Sequence, residues 1–441
     1  MLFYTDDRGC SEFELGKLQS DVWKMNVSGM PKGQLRDVVC EQCLRLYDGF
    51  VLDARKMESV IQRIYKENDA LRTILIEHDG RVLQKIVTDY EYQIDIRLAE
   101  GTTKEERLEN AKRRVKEESE KRLTDFEKIM SKIIWFRVDE DDYLLFIATS
   151  HIVSDGFSNY YIFRKIMGYY LDENYVDHCA HFSEYLKYEK ETLNSEVGEK
   201  YRKYWDERVQ GYQKIEHNEQ HAIESSNADQ QILPMMFPLS DVKRVARAYK
   251  TNDFSIFLTG FHYMIAKYYQ RNDTLVVFAC ANRRQEQFRS TVGLLARTLP
   301  NRLIISDEDT FSDILEKVTK GVYADLDHQE FPDYDYLTEF WCSKQRDVSL
   351  MNRIPNYNGK IEYIYLNGNS HLNGFNLFAM AVNDLEDGIC VEFFGNRAKY
   401  SRDCIDSFKN AFQECIDNIL NNPDRKIKEL LNREDEDVSG S

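Results

Sequence analysis

The sequence predicts an α/β fold built as two lobes, and three observations carry that prediction. The chain has 441 residues, more than one ordinary core needs. Strand-like and helix-like hydrophobic patterns alternate in both halves. Between the halves a polar stretch, from Asn194 to about Asp229, breaks the alternation and loses all pattern near "ESSNADQ". The expected organisation is an N-terminal lobe over 1–193, a linker over 194–230, a C-terminal lobe over 231–431 and a mobile acidic tail over 432–441.

The elements follow in order. "QLRDVVCEQCLRLY" reads as a helix that carries Cys40 and Cys43. "DARKMESVIQRIYKEN" is an amphipathic helix, with Asp53 as its N-cap and Met57, Val60, Ile61, Ile64 and Tyr65 on one face. "LRTILIEHDGRVLQKIV" reads as a hairpin about the Asp79-Gly80 turn. "KEERLENAKRRVKEESEKRL" is a helix of mixed charge, which reads as a solvated face. "KIIWFRVDEDDYLLFIATS" is a second hairpin, turning at Glu140 to Asp142. In the second half, "LSDVKRVARAYK", "FSIFLTGFHYMIAKYYQR", "FSDILEKVTKGVYADLDHQ" and "RDCIDSFKNAFQECIDNILNN" read as helices. "DTLVVFACA", "GKIEYIYLN" and "GICVEFFGN" read as strands.

Composition narrows the function classes. Hydrophobic residues make up 42% and aromatic residues 12%, enough for globular cores. Lys and Arg number 59 against 76 Asp and Glu, so the net charge is 59 − 76 = −17. That balance argues against nucleic acid and anionic membranes as partners. No apolar run approaches the roughly 20 residues that span a bilayer. The N-terminus, "MLFYTDDRGC", has no secretory pattern. Nine scattered cysteines read as reduced thiols in a cytoplasm. Cys40 and Cys43 have no second pair at zinc spacing, so the expectation is helix-face cysteines rather than a metal site. No G-x-G-x-x-G or Walker A pattern points to nucleotide chemistry.

The stretch "YLLFIATSHIVSDGFSNYYIF", Tyr143 to Phe163, begins as a buried strand and ends as a helix. His151 stands at the strand's mouth, Asp155 four residues on, and Gly156 behind it. A histidine titrates near neutral pH and can take a proton from an attacking amine or alcohol if it is held in one orientation. The Asp-Gly pair reads as a tight turn, with Gly156 free to take unusual backbone angles. A buried Asp155 would need a cationic partner. On this stretch alone, a satisfied core histidine beside a surface turn is the favoured reading.

The neighbouring segments widen the basis. "SHIVSDG" resembles the H-H-x-x-x-D-G signature of the condensation domains of nonribosomal peptide synthetases, within the chloramphenicol-acetyltransferase-like superfamily. "LGKLQSDVWKM", with Gln19 and Trp23, resembles the family's opening motif. "ENDALRTIL", with Ala70, Leu71, Arg72 and Thr73, resembles the next. "FSEYLKYE" and "YRKYWDERVQG" fall where the family has its Tyr segment and its Tyr-Trp segment. "NRRQEQFRSTVGLLARTLPNRL" resembles the Gly-Arg segment and the I-G-x-F-V-N-T segment, with Arg283 and Gly293 at the family's spacing. "DHQEFPDYDYL" and "RDVS" resemble the last two motifs. The resemblance covers nearly the whole chain. Three positions depart from it: Ser150 for the first motif His, Asn282 for the Gly before the Arg, and Arg297 for the Asn of V-N-T. No D-F-G-W-G stretch is present, which separates the chain from the plant-type branch.

The resemblance implies two chloramphenicol-acetyltransferase-like lobes in a V shape, with an active-site tunnel between them. It implies acyl transfer from the phosphopantetheine thioester of an acyl or peptidyl carrier protein, in trans, to a small-molecule amine or alcohol. The product would be an amide, less often an ester, in natural-product biosynthesis. His151 matches the catalytic His. Asp155 matches a residue paired with an Arg, here Arg283, and Gly156 a position whose backbone approaches the reacting centre. Ser150 would be a structural support. No permanent cofactor or metal is implied, and the expected state is a free-standing monomer. Two alternatives stand beside this: a coenzyme A-dependent acyltransferase of the same fold, and a silent domain that recruits carrier proteins.

Overall fold

The two long apolar runs of the second hairpin form the middle of a five-stranded sheet in the computed structural model. The structure describes residues 4–5, 11–27, 39–121, 123, 125–217, 233–330, 338–346, 354–364, 378–385, 388–395 and 399–428. Contacts divide the chain into two units. The first holds Met1–Ser195, Ala281–Ala296 and Ser349–His371; the second holds Glu196–Cys280, Arg297–Val348 and Leu372–Ser441. Two segments of the C-terminal half therefore fold with the first unit, which a linear division at 194–230 does not capture.

In the first unit, a small sheet of order β1-β2-β5-β4 joins β1 (Tyr4–Thr5), β2 (Ser11–Glu14), β4 (Thr73–His78) and β5 (Arg81–Ile86). β4 and β5 are the first predicted hairpin; Asp79 and Gly80 turn it with φ of 50° and 72°, the left-handed pair that a two-residue hairpin requires. Helix α1 covers Lys17–Val27. The five-stranded sheet has the order β13-β3-β8-β7-β6, from β3 (Val39–Tyr47), β6 (Asp95–Leu98), β7 (Ser131–Asp139), β8 (Asp142–Ser150) and β13 (Lys360–Tyr363). Helices α2 (Ala54–Glu67) and α4 (Gly156–Leu171) share one core with Leu145 and Ile147. Helix α3 (Lys104–Ser119) shares another with Leu144, Phe146 and Ala148. Successive residues of β8 thus face opposite layers, and covering both faces explains the uninterrupted apolar run. Helix α5 spans Phe182–Leu193. On α2, Asp53 accepts the Lys56 N–H, and Met57, Val60, Ile61, Ile64 and Tyr65 are buried as the periodicity predicts.

One element differs in type. The "CEQCLRLY" segment, expected as helix, is strand β3, paired with β8 along its whole length and with β13 on its other edge. Val39, Cys43 and Leu46 have helical spacing, but two flanking strands supply the backbone partners, and pairing overrides local periodicity. Cys40 and Cys43, three apart on a strand, take opposite faces, so the C-x-x-C spacing is not a ligand pair. Burial pushes the Cys43 thiol well above its ordinary range. Among the described residues no group of His, Cys, Asp and Glu is arranged to hold a metal, and no helix is long and apolar enough to cross a membrane.

The second unit is a six-stranded mixed sheet of order β11-β10-β12-β14-β15-β9. Its strands are β9 (Leu233–Phe237), β10 (Asp273–Cys280), β11 (Arg297–Ile304), β12 (Phe340–Arg346), β14 (Phe378–Leu385) and β15 (Gly388–Gly395). Its helices are α6 (Glu196–Val209), α7 (Leu239–Ala248), α8 (Asp253–Tyr269), α9 (Phe311–Asp327) and α10 (Arg402–Asn421). The first part of the expected linker is therefore helix α6, anchored by the fully buried Trp205, whose Nε1 donates to the His328 carbonyl at 2.9 Å. α8 and α10 approach closely at Gly260, where a Cβ would meet the Phe412 ring at 2.8 Å. Pro300, which cannot donate to a ladder, sits on the edge strand β11. A buried polar chain threads this core. The His262 ring bonds to Thr274 Oγ1 at 2.8 Å and donates through Nε2 to Asn301 Oδ1 at 3.1 Å, and Asn301 Nδ2 donates to Asp325 at 2.6 Å. The expected tail, "ESSNADQ", Phe331–Leu337 of "DHQEFPDYDYL" and the last three residues of "RDVS" lie outside the described residues.

Candidate active site

Strand β8 ends at Ser150, whose N–H donates to the Met130 carbonyl at 2.9 Å. His151 to Val153 turn, closed by Val153 N–H to the Ser150 carbonyl at 3.1 Å. Asp155 then caps α4, with its side chain accepting the Ser158 N–H at 2.8 Å. The motif is thus a strand, a turn and a capped helix in 7 residues, Ser150 to Gly156.

The turn is held from a distance. Gln19, 1% exposed on α1, donates through Nε2 to the Ile152 carbonyl at 2.7 Å and pairs with Gln84 at 2.8 Å. This gives the opening "LGKLQSDVW" motif a physical task beside the His motif, 133 residues away.

His151 is part-buried, and its Nδ1 lies 2.9 Å from the Ser154 carbonyl oxygen. A carbonyl only accepts, so Nδ1 carries the hydrogen and the neutral ring keeps its lone pair on Nε2. Nε2 has no hydrogen-bond partner among the described residues. A short local bond therefore fixes both ring orientation and tautomer, as a general base requires.

Asp155 is 1% exposed and meets six donors: Ser158 N and Oγ, two nitrogens of Arg283, and the N–H groups of Leu295 and Ala296. The Arg283 contact is bidentate at 3.0 and 2.9 Å. Burial alone would raise the Asp155 carboxyl's pKa, but the Arg283 charge and these hydrogen bonds outweigh it and hold the group below the usual carboxylate range. Arg283 also donates to the Ala281 and Thr291 carbonyls at 2.8 and 3.2 Å, so it braces its own loop against α4.

Sequence reading missed Ser158. Its hydroxyl shares a single hydrogen between Asp155 Oδ1 at 2.9 Å and the Gly293 carbonyl at 2.8 Å, accepts the Gly293 N–H at 3.0 Å and accepts from Arg283 at 3.1 Å. Gly293 itself has no room for a side chain, since a Cβ would meet the Phe182 ring at 2.2 Å. A small hydroxyl one turn after an Asp-Gly cap was the available signal. Asn282 lies at φ 51°, a left-handed conformation that glycine and asparagine tolerate, and its Nδ2 donates to Tyr185 Oη and the Leu295 carbonyl at 2.9 and 3.0 Å. That explains how Asn replaces Gly before Arg283.

Two expectations change. Gly156 is the first residue of α4, its φ is not positive, and a Cβ there would meet nothing within 4 Å. It is not a strained turn; it opens space. Ser150 is fully buried, but its hydroxyl has no hydrogen-bond partner among the described residues. By strand alternation it faces the α3 layer, whereas Thr149 bonds to Asn159 of α4 at 2.8 Å.

The fold is of the chloramphenicol-acetyltransferase-like class. The sequence profile described as Condensation domain matches residues 41–438, and the chain belongs to the condensation-domain family. It is 22% identical over 310 residues to surfactin synthase subunit 1 of Bacillus subtilis (strain 168), a match that covers 68% of this chain and 8% of that protein. SgcC5 protein from Streptomyces globisporus superposes with a TM-score of 0.76 at 16% identity, covering 94% of this chain and 100% of that one. A mutant of the starter condensation domain of rhizomide synthetase RzmA, solved in complex with C8-CoA, gives a TM-score of 0.73 at 14% identity, covering 95% of this chain and 96% of that one.

Proposed function

We propose that the chain transfers an acyl group from the phosphopantetheine thioester of a carrier protein to an amine, or less often a hydroxyl. The observation that carries this reading is the held His151 ring, with Nδ1 given to Ser154 and Nε2 without a partner among the described residues. As the acceptor nitrogen attacks the thioester carbonyl, its proton passes to Nε2 and a C–N bond forms. Collapse breaks the C–S bond, and the proton moves from His151 to the departing thiolate. The open space at Gly156 leaves the backbone at the start of α4 uncovered, where a helix N-terminus favours developing negative charge.

The test is turnover with a loaded carrier protein and an amine, read as amide by mass spectrometry. His151→Ala should lower the rate by about 100- to 10,000-fold with an unchanged melting curve. A folded variant that turns over at the parent rate would remove His151 from the chemistry. The RzmA complex makes a coenzyme A thioester the second donor to try. Equal or faster transfer from it at matched concentration would replace the carrier protein in this reading.

A further inference from the structure

A pair of side chains outside the acyl-transfer site is set up for a different reaction. Lys165 lies on α4 with its side chain 1% exposed, and its Nζ is 3.1 Å from Asp177 Oδ2. The same ammonium donates to Cys179 Sγ at 3.2 Å. Asp177 is held in turn by Ser290 Oγ at 2.6 Å. The Cys179 segment is fixed by its neighbour: Ala180 N–H donates to the Gln287 carbonyl at 2.9 Å, and Thr291 Oγ1 donates to the Ala180 carbonyl at 2.8 Å. Neither partner is free to drift. Cys179 is a free, partly exposed thiol, and it lines a cavity of about 530 Å³ with Arg63, Lys66, Glu67, His178 and His181. A buried amine therefore faces a reachable sulfur.

The geometry points to an oxidative modification site at which Cys179 and Lys165 become covalently linked when hydrogen peroxide enters this cavity. The Cys179 sulfur attacks one peroxide oxygen, the O–O bond breaks, and the products are a sulfenic acid and water. The Lys165 ammonium donates to the sulfur that undergoes this change. After passing a proton to Asp177, 3.1 Å away, Nζ attacks the sulfenic sulfur; an S–N bond forms, the S–O bond breaks, and the hydroxyl leaves as water with a proton from nitrogen. Sulfur is oxidised by two electrons and one peroxide is reduced to two waters. A sulfenic acid condenses with a backbone nitrogen to a sulfenamide, and the fixed proximity of the Lys165 amine opens the same route here in competition with further oxidation. The link closes a ring between positions 14 apart in sequence.

The full-length protein is treated with hydrogen peroxide and mapped by mass spectrometry after proteolysis. The expected product is one cross-linked peptide joining Lys165 to Cys179, lighter by two hydrogens and restored by a thiol reductant. Lys165→Arg keeps a cation beside Asp177 but lacks the amine, so Cys179 should instead accumulate as a sulfenic acid that dimedone captures. If circular dichroism shows that variant to be unfolded, Cys179→Ala serves: the peptide carrying Lys165 should then leave peroxide unmodified. Wild-type Cys179 recovered only as dimedone adduct, sulfinic acid or sulfonic acid, with Lys165 unlinked, would overturn the assignment.

Discussion

Arg283 and Asp155, 128 residues apart, meet through two parallel hydrogen bonds, with 4% and 1% of their side chains exposed. The pair joins the cap of α4 to the Ala281–Ala296 segment and stands four residues from His151. Its position makes stability and chemistry separable by mutation.

Removing one partner strands a buried charge, so Asp155→Asn or Arg283→Ala should each cost about 3–5 kcal/mol. Because the two residues share one interaction, the double variant should cost less than the sum. Urea unfolding of the parent, both single variants and the double measures this. Strictly additive losses would mean that the ion pair contributes no coupling.

Gly156→Ala should fold as well as the parent, since the new methyl meets nothing within 4 Å and the residue begins a helix. If acceptor or thioester occupies that space, turnover should fall by at least about tenfold, equivalent to about 1.4 kcal/mol, with no loss of melting temperature. Parent-like kinetics would show that the space is not used.

Ser150→Ala removes a buried hydroxyl that has no partner among the described residues, so it should leave stability unchanged or raise it by about 1 kcal/mol, and turnover should change by less than about tenfold. Ser150→His should instead overpack the α3 layer and cost about 1–3 kcal/mol. A faster and equally stable Ser150→His protein would identify Ser150 as a lost catalytic position.

His262 supplies a pH signature in the second unit. Burial lowers its pKa to about 3, against the partial support of the Asn301 bond. Its unfolded value is about 6.5, so the unfolded chain takes up the proton first as pH falls. The contribution is complete above about pH 6.5 and is lost toward about pH 3 at up to about 1.4 kcal/mol per unit. His262→Gln should flatten the fall in urea midpoint across that window. Asp325, whose pKa burial raises, acts in the opposite sense but is present in both proteins. Identical slopes would show that His262 does not titrate in this way.

What the sequence displays and what it hides divides along physical lines. Helix α2 is legible because cap, period and buried face are all local, from Asp53 to Tyr65. β3 is misread because Val39, Cys43 and Leu46 carry a helical period while the deciding partners lie in β8 and β13, about 100 and 320 residues away. Within the site, His151, Asp155 and Arg283 are visible as residue types at family spacing. The roles of Gln19, Ser158 and Gly293 are not, because each rests on a backbone group brought near only by folding. Gly156 is legible as a turn glycine and, by resemblance, as a backbone position near the reacting centre; that it stands unstrained at the head of α4 beside open space is decided by the fold.

The donors to Asp155 have a consequence for the growing chain on the ribosome. Ala296, whose N–H completes the set, lies 141 residues after the aspartate. At 5–20 residues per second, about 7–30 s of synthesis separate the two. For that interval the carboxylate has Ser158 but neither Arg283 nor the Leu295 and Ala296 amides, and a charge so incompletely matched resists burial. The cap of α4 must therefore stay wet until Ala296 has been made, so the nascent first unit waits on a late arrival from 141 residues further along the chain.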